Sequence, residues 1–318
     1  MEMDILCIGE ALIDMICTDK GMPLSEGEHY LRKAGGAPTN VAAAIAALGG
    51  RVSLAARVGA DPFGAHLRSV MRSFGVDISA MREDPDHFTT FAFVSLMENG
   101  ERDFHFNRGA DGHLGVPDVD AIDTSRFGIV HFGSATAFLP GPLQEAYRAL
   151  LERAIREGRF ISFDPNYRSL LYGDRKPEFV SQARAFIAKA RFFKLSDEEA
   201  LLITGTSELP SATAILREWS DAVFAITLGA EGALLSCEGR SEVVPTVKVD
   251  PVDTTGAGDA FVGAVLHQLQ ALGRDGLRDV GFDAWREIVR RANIAGARTC
   301  EYMGAMEAFR HLDKSIFH

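Results

Sequence analysis

The chain has 318 residues, 47% hydrophobic and 24% charged, enough apolar mass for one large α/β core and without the composition shift that would mark a second module. A formal charge of −11 and a pI near 5.3 exclude nucleic acid and anionic membranes as main partners, because both demand a basic footprint. Cys7, Cys17, Cys237 and Cys300 show no CxxC spacing and read as reduced structural thiols of a cytoplasmic protein; MEMDILCIGEALID lacks the basic start and long apolar run of a signal peptide.

Asp4 to Gly9 reads as a buried strand. Asp14 follows it, at the carboxyl end where open α/β sheets bind ligands, and its carboxylate suits two sugar hydroxyls. Met15 to Lys33 has no helical periodicity and reads as strands leaving the main sheet. In AGGAPTNVAAAIAALGG, Val41, Ala44, Ile45 and Leu48 keep helical spacing. Pro38, Thr39 and Asn40 start that helix, Gly49 and Gly50 stop it, and Gly35 and Gly36 leave bare amides ahead of it. Val52 to Val58 is the next strand, and Phe63, Leu67, Val70, Met71 and Phe74 mark one face of the next helix. Phe91 to Leu96 and Asp103 to Asn107 read as two strands joined at Asn99-Gly100, with Phe104 and Phe106 alternating with His105. Segments 14–33 and 89–108 together suggest a small β lid.

From Phe127 strands and helices alternate: IVHFG, a helix from Gly141 to Gly158, FISFD, a helix from Phe179 to Ala190, RFFKL, a short helix near Glu198, then VFAITL. This rhythm implies parallel strands with helical crossovers. Three strand ends carry polar groups: DPNYR (Asp164 to Arg168), KLSDEEA (Lys194 to Ala200) and TLGAEG (Thr227 to Gly232). ALLSC and VVPTVKV give an antiparallel finish before DPVDTTGAGDAF, Asp250 to Phe261. Beyond Asp259, Val262, Val265, Leu266 and Leu269 define one helix face, which Gly273 would end. Gly256 and Gly258 therefore sit at a helix N-terminus, where the amides of Ala257, Gly258 and Asp259 can face an anion. A phosphate suits that place, with Asp259 as the base that takes a hydroxyl proton.

DTTGAGDAF and AGGAPTN resemble the C-terminal and N-terminal signatures of the ribokinase-like sugar kinase family, and the likeness runs in order along the whole chain. It implies one domain over residues 1–318: a three-layer α/β/α fold with a mostly parallel central sheet and a small β-sheet lid. It also implies phosphoryl transfer from ATP to a sugar hydroxyl, with Asp259 as base and Gly256, Ala257 and Gly258 as the anion hole. Gly35, Gly36 and Asn40 match the family's sugar contacts. Arg108 falls where fructokinase-like members place an Arg on the sugar, and DPNYR, with Asn166 and Arg168, looks like that of fructokinases and ketodeoxygluconate kinases. The family's pair that holds the magnesium water shell corresponds to Ser196 and Glu199, with Ser196 where the family has Asn. Thr227, Gly229 and Gly232 resemble its nucleotide-binding turn, and Asn293 lies at the expected adenine edge. Asp253 and Thr255, with the loop between Thr299 and Gly304, match a site for a monovalent cation such as K+.

The likeness is greatest to fructokinases, which make fructose 6-phosphate from D-fructose. A 2-keto-3-deoxygluconate kinase, with Arg168 or Arg108 on the substrate carboxylate, is the alternative within the class. A catalytically silent sugar or nucleotide sensor is the alternative outside it. A Rossmann oxidoreductase would need GxGxxG after the first strand, where GEALID stands. An apolar lid face implies a homodimer formed through the lid.

Overall fold

The structure is a computed structural model describing residues 3–97, 102–277 and 279–317; the Asn99-Gly100 turn lies outside the described residues. Its strands are β1 (Asp4–Ile8), β2 (Leu12–Cys17), β3 (Tyr30–Gly35), β4 (Val52–Gly59), β5 (Met81–Asp84), β6 (Phe91–Leu96), β7 (Arg102–Asn107), β8 (Phe127–Phe132), β9 (Phe160–Phe163), β10 (Phe192–Ser196), β11 (Val223–Thr227), β12 (Ala233–Cys237) and β13 (Arg240–Val244). The helices are α1 (Ala37–Ala47), α2 (Pro62–Phe74), α3 (Val116–Asp120), α4 (Pro142–Arg156), α5 (Ser169–Tyr172), α6 (Lys176–Ile187), α7 (Asp197–Thr204), α8 (Leu209–Trp219), α9 (Ala257–Gly276), α10 (Phe282–Thr299) and α11 (Ala305–Phe309).

Nine strands form the main sheet in the order β13-β12-β11-β10-β9-β8-β1-β4-β5. Its pairs from β11 to β5 are parallel, while β12 and β13 run antiparallel at one margin. Burial on both faces follows from the strand period of two. Ile5 and Cys7 join the core under α1, α9 and α10, whereas Leu6 and Ile8 join the core under α4, α6 and α8. The predicted three layers are therefore present. Strand β5 and helix α8 were absent from the sequence-based expectation. MRED is too charged to read as a strand until Asp84 is seen buried against Arg57, and the α8 stripe is made of the modest side chains Ala212, Thr213 and Leu216.

A second sheet of four strands, ordered β3-β2-β6-β7, stands apart from the first. Asp14 lies inside β2, opposite Lys33 and Ala92, in the small sheet to which the sequence assigned segment 14–33. The register places Ile16, Leu31, Val94 and Phe104 on the same face as Asp14.

Helix α9 begins after Gly256, whose φ of 83° is left-handed, and non-helical dihedrals at Gly273 interrupt it, as its spacing predicted. A side chain at Gly263 would crowd Ala44 Cβ at 2.8 Å, so α1 and α9 pack closely because this position is bare. That contact brings the two glycine-rich helix starts, and with them Asn40 and Asp259, to one place.

Candidate active site

Asp259 projects from the first turn of α9, where Asn40 Nδ2 donates a hydrogen bond of 2.8 Å to its Oδ2. The Asn40 Oδ1 atom is buried and has no protein partner, which leaves an acceptor aimed at a ligand. Burial raises the Asp259 pKa above the ordinary carboxylate value and Glu199 adds to the rise, while the Asn40 hydrogen bond, Arg168 and Lys194 oppose it. A carboxylate so tuned takes a proton more readily than a solvated one. The Ala257 amide already donates to Thr254 O at 3.2 Å, whereas the sequence had left it open for an anion. Gly258 and Asp259 are the first-turn positions whose N–H groups have no carbonyl partner within the helix.

A lysine absent from the predicted site joins them. Lys194, on β10, is buried and holds its Nζ 3.2 Å from Asp164 Oδ2. A Cβ at Gly258 would also stand 3.2 Å from that Nζ, so the ammonium lies directly under the α9 amides. Burial alone would lower the Lys194 pKa, but the carboxylates of Asp164, Glu199 and Asp259 outweigh it and leave it raised. The lysine is therefore charged. Burial pushes the partner Asp164 upward, against the pull of Lys194. The signal for this pair was a charged residue inside the apolar run RFFKL, since a lysine is buried almost only when paired.

The opposite wall carries Asp14. A Cβ at Gly35 would displace the Asp14 carboxylate, and one at Gly36, at φ 106°, would meet the Glu10 carbonyl. Burial raises the Asp14 pKa to about 7, Arg168 lowers it and Glu10 raises it further. Against burial, Arg168 lowers both the Asp14 and the Asp259 carboxyl, and its own hydrogen bonds go to Tyr167 O at 3.0 Å and to Asn166. Asn166 Oδ1 accepts from Arg168 Nη2 at 3.3 Å, and its amide donates to Gly133 O at 2.8 Å. Asn166 thus orients the arginine. Arg108 donates to the carbonyls of Pro140 and Thr136 at 3.1 and 3.2 Å, so much of its donor fork serves the pocket wall and not the cavity.

On the other side of Asp259, Ser196 caps α7. Its Oγ accepts from Glu199 N at 3.1 Å, and Glu199 returns a bond by accepting from Ser196 N at 2.8 Å. The remaining Glu199 oxygen accepts from Tyr167 N at 2.8 Å, fastening the DPNYR loop to α7. Thr227 donates to Leu195 O at 3.3 Å, and Gly229 (φ 57°) opens onto free space. Gly232 (φ 105°) packs against the Val244 carbonyl. Asn293 is buried and its amide donates to Val244 O at 2.8 Å, so its donors anchor the exit of β13 and not an adenine edge. Asp253 accepts from Thr255 N and Oγ1 at 3.0 and 2.7 Å and from Gly304 N at 2.8 Å, which draws the two predicted cation-binding segments together. Among the described residues no cluster of three or more His, Cys, Asp or Glu could hold a metal.

A proton acceptor, helix amides and a buried ammonium converging at the carboxyl ends of a parallel sheet define a phosphotransferase site. The chain belongs to the pfkB family of carbohydrate kinases, whose model matches residues 2–311. Fructokinase-1 of Zea mays is 33% identical over 95% of this chain and 93% of its own. The crystal structure of fructokinase from Vibrio cholerae O395 in its fructose, ADP and calcium ion bound form has a TM-score of 0.85 at 31% identity, covering 99% of this chain and 98% of that one. Fructokinase with bound ATP from Xylella fastidiosa gives 0.85 at 30% identity, covering 100% and 97%.

Proposed function

We propose that this carbohydrate kinase transfers the γ-phosphoryl group of ATP to D-fructose, giving fructose 6-phosphate. The observation that carries the reading is the convergence of Asp259 with Asn40 and Lys194 at one helix N-terminus. Asp14, Asn40 and the bare backbone of Gly35 and Gly36 hold the sugar, and Asp259 removes the proton from its primary hydroxyl. The Gly258 and Asp259 amides, with Lys194, bear the charge of the transferring group. Thr227, Gly229 and Gly232 line the nucleotide's path. Glu199, beside Ser196, is the carboxylate that would steady the hydrated magnesium, which neutralises phosphate charge when bound. The oxygen atoms around Asp253, Thr255 and Gly304 suit a K+ ion that would tie the two loops behind the anion hole.

A 2-keto-3-deoxygluconate substrate needs a free cation for its carboxylate. Arg108 is engaged with backbone carbonyls and stands 3.6 Å from Asp111, and Arg168 is engaged with Tyr167 O and Asn166 Oδ1, which supports an uncharged sugar. Initial rates with fructose, ketodeoxygluconate, ribose and a nucleoside test this; a higher kcat/KM for any of the others than for fructose overturns it.

Asp14 must be ionised to accept two hydroxyl hydrogens, and its carboxyl titrates near pH 7 in the free protein. Protonated enzyme then accumulates as the pH falls, and the fructose KM is expected to rise about tenfold per pH unit below that value. The Asp14→Asn variant should bind weakly with no such slope. A wild-type KM that stays level from about pH 8 to about pH 5.5 contradicts the role.

The four-stranded sheet closes over the sugar, as part of a single domain, and its apolar face docks on a second copy. Leu31 and Leu96 support this, being 42% and 60% exposed. Leu96→Glu is expected to convert a sedimenting dimer to monomer; a wild type that sediments as monomer rejects the assembly. Four unpaired cysteines accord with a cytoplasmic setting, and no described helix is long and apolar enough to cross a membrane.

A further inference from the structure

Five buried polar side chains lie behind the sugar pocket without touching the proposed reacting atoms: Glu10, Ser134, Thr136, Asp111 and Thr90, each no more than 3% exposed. Glu10 Oε1 accepts from Ala37 N at 3.0 Å and from Ala135 N at 3.3 Å, and Oε2 accepts from Ser134 Oγ. Its carbonyl accepts from Thr39 Oγ1 at 2.9 Å, so one residue grips the start of α1 immediately after Gly35 and Gly36. The path continues. Thr136 N donates to Ser134 Oγ at 3.2 Å, Thr136 Oγ1 donates to Asp111 Oδ2 at 2.8 Å, and Thr90 Oγ1 donates to Asp111 Oδ1.

Thr90 precedes β6 and accepts from Gly109 N, just beyond β7, at 2.9 Å; its carbonyl accepts from Ile13 N at 3.0 Å, beside Asp14. Both stems of the small sheet and the strand bearing Asp14 therefore meet the sugar-binding helix start through one unbroken set of hydrogen bonds. Burial pushes the Glu10 carboxyl up, and Asp111 adds to the push, against its own hydrogen bonds. Asp111 has a cation beside it, Arg108 Nε lying 3.6 Å from its Oδ2, whereas Glu10 is held by hydrogen bonds, so the chain is a costly way merely to fill space.

We propose that Glu10 is a positioning residue for the sugar site, and that the Glu10–Ser134–Thr136–Asp111–Thr90 chain holds Gly35, Gly36 and the stems of the lid in one frame competent to bind sugar. The inference rests on the sugar site proposed above. Removing a link leaves buried partners unpaired and lets the two walls move relative to each other, which weakens ground-state sugar binding more than chemistry.

Steady-state kinetics on three variants test it, with KM taken for whichever sugar the wild type turns over. Fructose turnover by the wild type judges the reading of the substrate; the ratio of variant to wild type judges this inference. E10A and T90V should raise the sugar KM about tenfold or more, with kcat and the ATP KM within about threefold. E10Q should be clearly less impaired than E10A, since its amide oxygen keeps both backbone donors, although its NH2 meets a Ser134 Oγ that already accepts from Thr136 N and Ala137 N. Thr90→Val preserves shape, so it carries the test should E10A fail to fold. An E10Q as impaired as E10A, or a T90V with wild-type sugar KM, overturns the proposal.

Discussion

Asp259→Asn is expected to lower turnover by roughly 100-fold to 10,000-fold while leaving the KM values for sugar and ATP nearly unchanged. The Asn side chain fits the same space and can still meet Asn40 through its own amide, so the helix start stays in place. What disappears is the acceptor for the hydroxyl proton. Because burial raises the Asp259 carboxyl, the wild-type rate should also fall at acid pH as this group becomes protonated, and the residual activity of the Asn variant should not follow that limb. Steady-state assays across pH, with circular dichroism to confirm the fold, provide the check. An Asn variant that turns over at the wild-type rate removes the base from the scheme.

Lys194→Met should cost roughly 100-fold to 1,000-fold in kcat, the scale for deleting one preorganised donor from a developing charge. The methionine fills the aliphatic path of the lysine but leaves Asp164, 1% exposed, without its cation. Breaking a buried pair from one side costs about 3–5 kcal/mol when the survivor stays charged. Asp164 can escape part of that cost by taking a proton, toward which burial already drives it. The double variant Lys194→Met, Asp164→Asn should therefore recover much of the thermal stability lost by the single variant and none of the turnover. If it recovers turnover as well, the lysine serves only to neutralise Asp164, and the phosphoryl group is stabilised by the amides alone.

The scaffold could be read ahead of the structure wherever local pattern and tertiary role agree. The apolar runs IVHFG, FISFD and VFAITL lie within or overlap buried strands, and the two glycine-rich helix starts lie together because Gly263 lets α1 approach α9. Gly273 interrupts its helix where the spacing placed the stop. What escaped were pairings made across long sequence distances. Lys194 has no meaning as a ligand until Asp164, just past the end of neighbouring β9, and Gly258, on α9, are seen around it. Glu10 looked like one more polar residue after a strand, because its partners at 37, 134 and 135 belong to two other segments. Asn293 and Arg108 are polar residues at plausible places that also give hydrogen bonds to backbone carbonyls, a second employment their motifs do not announce. A motif names the residue type; the accounting of donors and acceptors decides its employment.

The two outer strands of the main sheet, MRED at one margin and RSEVV at the other, are only 4 and 5 residues long and studded with ions. Strands this short and charged make poor templates for an incoming chain, since any ladder of peptide bonds would have to desolvate Arg82 and Glu83 on one flank or Arg240 and Glu242 on the other. Crowded copies of the molecule are thus steered away from fibre-like stacking, and the nine-stranded layer ends at both margins on strands that resist extension.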